Sequence, residues 1–166
     1  MCLCTEGAGN VGAYAVQIAK QGNMHVWASI CGDGADYVRS LGAENVINAR
    51  TSGLKGAAGW ADVVIDTVGG ASQRQLFDVA KLGGVVVSSA AKPDVAEAEA
   101  KSVRAMAFIV NVNAGDLAKV AHLLSRGELK THVGAVLPLT DARAAHEMLE
   151  GSRSRPPGKI VLRVAA

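Results

Sequence analysis

The chain has 166 residues, 49% of them hydrophobic but only 4% aromatic, and 17 Lys and Arg against 15 Asp and Glu leave a net charge of +2. Scattered basic residues make no case for a nucleic-acid partner. No apolar run approaches the roughly 20 residues that cross a bilayer, and the start lacks the basic and apolar regions of a signal peptide, so no membrane partner and a cytoplasmic setting are expected.

Apolar runs alternate with helical patterns along the chain. Cys2–Thr5 reads as a first strand, followed by Gly7-Ala-Gly-Asn-Val-Gly12 and a helix over Val11–Gln21. Strand, glycine turn and helix form the setting in which G-x-G-x-x-G points to a dinucleotide. Gly7 is expected to permit the turn, Gly9 to let the backbone approach a pyrophosphate, and Gly12 to let helix and strand pack closely. The pyrophosphate would rest on the N–H groups of Asn10, Val11 and Gly12, at the positive end of the helix dipole. In that helix Val11, Ala15, Ile18 and Ala19 are expected inward, with Gln17, Lys20 and Gln21 left to water and Gly22 as the stop.

Further strands are expected at His25–Ser29, Asn45–Ile47, Asp62–Asp66, Val85–Ser89 and Val103–Val110, with helices at Asp33–Leu41, Ser72–Lys81 and Asp116–Ser125. Ala96–Lys101 reads as a short helix-prone surface stretch. Val63-Val64-Ile65 and Val85-Val86-Val87 are apolar throughout, the pattern of strands covered on both faces of a parallel sheet. Right-handed β-α-β units then give an α/β fold, a Rossmann-type doubly wound sheet of order 3-2-1-4-5-6 over residues 1–128.

Residues 129–166 change character. Gly134–Leu139 is expected as a strand broken by Pro138, Thr140 as the cap of a helix over Asp141–Glu150 with Ala145, Met148 and Leu149 inward, Ser152–Gly158 as a loop and Lys159–Val164 as a last strand. The two strands of this strand-helix-strand appendage have no evident place in the sheet. Residues 134–138 and 159–164 are therefore expected to support a homo-oligomer.

Cys2, Cys4 and Cys31 form no C-x-x-C pair and no zinc-ligand spacing, so no metal is expected. His25, His122, His132 and His146 are isolated. No catalytic acid, base or nucleophile stands out, and the catalytic residues are left unassigned.

Glu6-Gly-Ala-Gly-Asn-Val-Gly-Ala-Tyr-Ala-Val-Gln-Ile-Ala-Lys20 resembles the cofactor turn of the medium-chain dehydrogenase/reductase superfamily, closest to its zinc-independent quinone oxidoreductase (zeta-crystallin-like) branch. Arg39–Asn48, Ala61–Gly70, Leu82–Ser88 and Gly158–Val164 resemble later stretches of that family in the same order. Members of that family begin with a GroES-like substrate domain, whereas this chain starts at the first strand of the cofactor domain. Gly134–Val164 resembles the segment that returns to complete the substrate domain.

The resemblance implies hydride transfer from a nicotinamide dinucleotide to a quinone, enone or carbonyl, with weak or no activity for this chain alone. Aligning Leu41-Gly42-Ala43 puts Ser29 where an NAD site carries an acid, so NADP(H) is favoured over NAD(H). Arg50 is within reach of the extra phosphate, Asp33 would oppose it, and Gly34 and Ala49 stand where relatives often carry Lys and Tyr or His. The nicotinamide end is implied at Val68, Gly69, Ser88, Ser89, Phe108 and Ile109. The alternative function is a non-catalytic dinucleotide-binding or subunit-association module.

Overall fold

Short apolar strands punctuated by glycines lay down a parallel sheet one β-α unit at a time. The computed structural model describes residues 1–54, 59–154, 156 and 158–164. The chain divides into two compact units, Met1–Leu129 and Lys130–Ala166.

In the first unit β1 (Cys2–Cys4), β2 (Val26–Ile30), β3 (Asn45–Asn48), β4 (Ala61–Asp66), β5 (Ala80–Ser88) and β6 (Arg104–Ala107) form one sheet of order β3-β2-β1-β4-β5-β6. Every neighbouring pair is parallel, with Cys4 opposite both Ala28 and Ile65, and Val87 opposite Met106. The expected strand order is the observed one, with β1 at the point where the winding reverses. Such a point leaves a crevice at the carboxyl ends of the strands.

The sheet has one core on each face. On one face α1 (Gly12–Gln21) and α2 (Ala35–Ser40) cover Cys2, Cys4, Val26, Ala28 and Ile30. On the other, α3 (Gln73–Val79) and α4 (Val95–Ala100) cover Leu3, Val64 and Val86 with Leu76, Phe77 and Ala98. α4 corrects the reading of Ala96–Lys101 as mere surface. Asp94 caps it by accepting from the Glu97 N–H, and Ala98 is fully buried. α5 (Ala114–Ser125) is capped by Asn113 but buries none of its residues; Leu117, Val120 and Leu124 all face out. β6 stops at Ala107, three residues short of the expected end.

The inward face of α1 is Ala13, Val16, Gln17 and Ala19, whereas Val11 and Ile18 are more than half exposed. Gln17 enters the core because its amide donates to the Ala13 carbonyl at 3.0 Å, which satisfies the polar group locally. Gly22 caps α1 with an ordinary φ of −74°, and the left-handed residue is Asn23, φ 56°.

In the second unit β7 (Val133–Pro138) and β8 (Lys159–Arg163) pair with each other in parallel, joined through α6 (Ala142–Glu150). The two strands therefore do have a partner, contrary to the sequence reading, although each keeps one unpaired edge among the described residues. A parallel pair needs a crossover, and α6 supplies it. Thr140 lies in a short 3-10 turn and makes no cap; Ala145 is buried, Met148 half-buried and Leu149 exposed. Arg155 and Pro157 of the expected loop lie outside the described residues.

Candidate functional site

The crevice is built where β1, β2, β4 and β5 end. The glycine turn follows β1, and a Cβ at Gly12 would fall 2.1 Å from the Glu6 carbonyl oxygen. Only glycine lets α1 start that close to the strand. A Cβ at Gly7 would meet Ala28 Cβ at 2.8 Å, so Gly7 is fixed by packing on β2; the turn's left-handed residue is Glu6, φ 47°. The N–H groups of Asn10, Val11 and Gly12 donate to no carbonyl among the described residues, while Gly9 N–H bonds the Glu6 carbonyl at 2.8 Å. Unpaired donors at the N-terminus of a ten-residue helix form an anion cradle. This cradle fits the pyrophosphate of a dinucleotide.

β2 ends at Ile30. Ser29 lies inside the strand and is 5% exposed, its carbonyl accepting from Gly7 N–H at 2.8 Å. Cys31, just past the strand end, is exposed and stands beside Glu6. Burial raises the Cys31 thiol; the charge and hydrogen bond of the Glu6 carboxylate raise it further, against a smaller pull from Arg50. Arg50 is exposed, with its backbone N–H bonded to Asn48 Oδ1 at 3.0 Å. Next to these groups a hollow of about 380 Å³ is lined by Ile30, Gly32, Asp33, Gly34, Tyr37 and Asn48, among others.

The opposite end of the crevice is organised by a residue that sequence reading placed only at a strand end. Asp66 is fully buried. Its Oδ1 accepts from the N–H groups of Val68 (3.0 Å) and Gly69 (2.9 Å), and its Oδ2 from Gln73 Nε2 and Ser88 Oγ, both 2.9 Å. Burial alone would raise this carboxyl, but the four hydrogen bonds, that of Gly69 foremost, hold it below its ordinary value. Ser88 Oγ in turn accepts from Ala90 and Ala91 N–H at 3.3 and 3.2 Å.

Thr5 and Thr67 exchange hydrogen bonds, Thr67 N–H to Thr5 Oγ1 at 2.8 Å and Thr67 Oγ to the Thr5 carbonyl at 2.7 Å, tying the exit of β1 to that of β4. Gly69, φ 68°, passes so near the β5 exit that a Cβ would lie 2.9 Å from Ala91 Cβ. Ser89 N–H donates to the Asp66 carbonyl at 2.9 Å, and Phe108 N–H to the Ser88 carbonyl at 3.1 Å. Val68, Gly69, Ser88, Ser89 and Phe108 are thus drawn together by one network, and Ile109 follows, 96% exposed. A cavity of about 480 Å³ opens between the β5 and β6 exits, lined by Ser88, Ser89, Lys92, Met106, Phe108 and Ile109 among others. Of this network, the sequence signal for Asp66 was a carboxylate closing an apolar strand; its partners come from residues up to 22 positions away.

Residues 41–162 match the zinc-binding dehydrogenase family. A mitochondrial protein of Arthroderma benhamiae, named as a zinc-binding oxidoreductase, is 33% identical over 96% of this chain and 50% of its own length. The chloroplastic quinone oxidoreductase QR1 of Triphysaria versicolor is 29% identical over 96% of this chain and 51% of its own. The structure of the quinone oxidoreductase from Coxiella burnetii superposes with a TM-score of 0.87 at 32% identity, covering 99% of this chain and 52% of that one. The chain thus spans about half the length of the relatives it matches. Among the described residues no three His, Cys, Asp or Glu side chains gather as metal ligands; those residues do not fit a zinc ion. Nor is any helix among them long and apolar enough to cross a membrane.

Proposed function

The chain belongs to the zinc-binding dehydrogenase family, and from that premise we propose that it is the dinucleotide-binding portion of an oxidoreductase that moves hydride between NADP(H) and a quinone, enone or carbonyl compound. The observation that carries the reading is the glycine turn, where unpaired N–H groups stand at the start of α1, which Gly12 lets begin hard against the Glu6 carbonyl. A relative from Arabidopsis thaliana named as an NADPH-dependent alkenal/one oxidoreductase, 28% identical over 96% of this chain, supports the same chemistry.

The dinucleotide, when bound, supplies the hydride at its nicotinamide ring. The chain's own residues bind and orient. Gly7, Gly9, Asn10, Val11 and Gly12 hold the pyrophosphate. Arg50 and Ser29 serve the adenosine end, Arg50 favouring a ribose phosphate and Ser29 lying one residue before the end of β2. Val68, Gly69, Ser88, Ser89, Phe108 and Ile109 form the floor beneath the nicotinamide, fixed in place by Asp66. No acid or base is assigned.

One observation favours a second reading, a binding module without turnover. Val68 and Phe108 are about half exposed and Ile109 almost wholly so, so among the described residues nothing closes over the nicotinamide floor. A cytoplasmic setting stays part of the proposal from the sequence alone, while the relatives named above carry mitochondrial and chloroplastic names. Self-association through the open edges of β7 and β8 completes it.

Calorimetric titration with NADPH and NADH, followed by NADPH oxidation in the presence of a quinone, tests the reading. Binding with turnover supports the enzyme, binding without it the module, and no binding of either nucleotide removes both.

A further inference from the structure

The glycine turn carries an acid where the backbone itself asks for glycine. Glu6 sits in the left-handed region, φ 47°, a conformation that strains a residue bearing a side chain. Its side chain folds back over the turn, with Cγ 3.1 Å from where a Cβ on Gly9 would be. The carboxylate hydrogen-bonds with the Cys31 thiol just past the end of β2, and the charge of Arg50, beyond the end of β3, acts on the same thiol. The turn and the β2 exit are in direct contact, since a Cβ on Gly34 would reach Ala8 Cβ at 3.1 Å.

A negative charge therefore stands over the glycine turn and beside Cys31 at the β2 exit, on the side where a Rossmann crevice takes the adenosine ribose. We propose that Glu6 is the residue that sets cofactor choice in this crevice: its carboxylate accepts from the hydroxyls of an unphosphorylated ribose and opposes the 2′-phosphate that Arg50 attracts. This inference rests on the dinucleotide reading above. An acid at the end of β2 usually plays such a part; here Ile30 and Cys31 close β2 without one, Asp33 follows in the loop that lines the hollow, and Glu6 adds a second carboxylate from the turn after β1. Carboxylate and guanidinium act on one phosphate with opposite sign, so Glu6 sets how far the preference for NADP(H) that Arg50 gives is narrowed.

The test titrates the full chain and its Glu6→Gln, Glu6→Gly and Arg50→Gln variants with adenosine 2′,5′-bisphosphate and AMP, then with NADPH and NADH. Removing one charge at several ångströms in a partly screened crevice changes affinity by about tenfold. Glu6→Gln is expected to tighten the two 2′-phosphorylated ligands by about that factor and to weaken AMP and NADH. Glu6→Gly should do the same while relieving the backbone, and Arg50→Gln should weaken only the phosphorylated pair. Equal shifts for both ligand classes, or none, overturn the role of Glu6 while leaving the dinucleotide reading standing. If none of the four ligands binds the wild-type chain or any variant, the dinucleotide reading falls and this inference falls with it.

Discussion

Asp66 Oδ2 accepts a 2.9 Å hydrogen bond from Ser88 Oγ, and that contact joins the ends of two neighbouring strands beneath the proposed nicotinamide floor. The same carboxylate anchors the Val68 and Gly69 N–H groups and the Gln73 amide, so one buried charge ties the β4 exit loop to the start of α3 and the end of β5. Each of its oxygens has two donors. A buried carboxylate fully supplied with hydrogen bonds resists protonation and rearrangement alike.

Asp66→Asn keeps the size of the side chain but turns an acceptor into a donor facing Gln73 or Ser88. The expected loss is about 2–3 kcal/mol, the cost of leaving buried polar groups unpaired. Urea unfolding measures it. The variant should also lose affinity for NADPH more than for AMP, since the damage lies at the nicotinamide end.

The pH dependence follows from the depressed Asp66 carboxyl. Its stabilisation is fully present above the unfolded value of about 4. It is lost as pH falls from there through the lower value of the folded state, because over that window the unfolded chain takes up a proton that the native carboxylate still refuses. Acid unfolding should therefore be shallower in Asp66→Asn than in the wild-type chain. Equal slopes for the two proteins would count against a charged Asp66.

Three glycines separate sterics from conformation. Gly12→Ala drives a Cβ into the Glu6 carbonyl and Thr5 backbone; it should cost more than about 3 kcal/mol and abolish nucleotide binding. Gly69→Ala, strained at φ 68° and blocked by Ala91, should cost about 1–3 kcal/mol. Gly22→Ala has a φ of −74° and nothing nearer than 3.4 Å, so it should be neutral or stabilise by about 0.5 kcal/mol. Thermal melts rank the three.

The open edges of β7 and β8 are expected to associate at high concentration. Sedimentation velocity over a hundredfold concentration range should show the sedimentation coefficient rising, and Val136→Lys, at a half-exposed strand position, should suppress the rise. A constant coefficient in both proteins would remove self-association from the proposal.

The strand order was legible because it depends on local signals. Valine-rich runs mark buried parallel strands, and Gly7, Gly9 and Gly12 mark the first crossover. What the sequence hid is what depends on partners far away or on the last residue of an element. Gln17 looks like a surface residue until its amide finds the Ala13 carbonyl. Ser29 was expected at the ribose, but β2 runs to Ile30, which leaves Ser29 inside the sheet and Cys31 at the mouth. Asp66 closes an apolar strand without any local sign of Gln73 or Ser88. Glu6 stood in plain view next to the motif, but its left-handed backbone, and hence the fold of its side chain over Gly9, appears only in three dimensions. The partnership of β7 with β8 was missed because parallel strands separated by a helix leave no hairpin turn to read.

The cysteines give the chain its own clock. Cys2 and Cys4 are wholly buried in β1, while Cys31 is exposed at the crevice mouth. A thiol reagent applied to the native chain should thus modify one site at once and be slowed there by a bound nucleotide. The other two sites become reactive only when the central strand comes out of the sheet, so the lag between the first label and the remaining pair times the opening of the core itself.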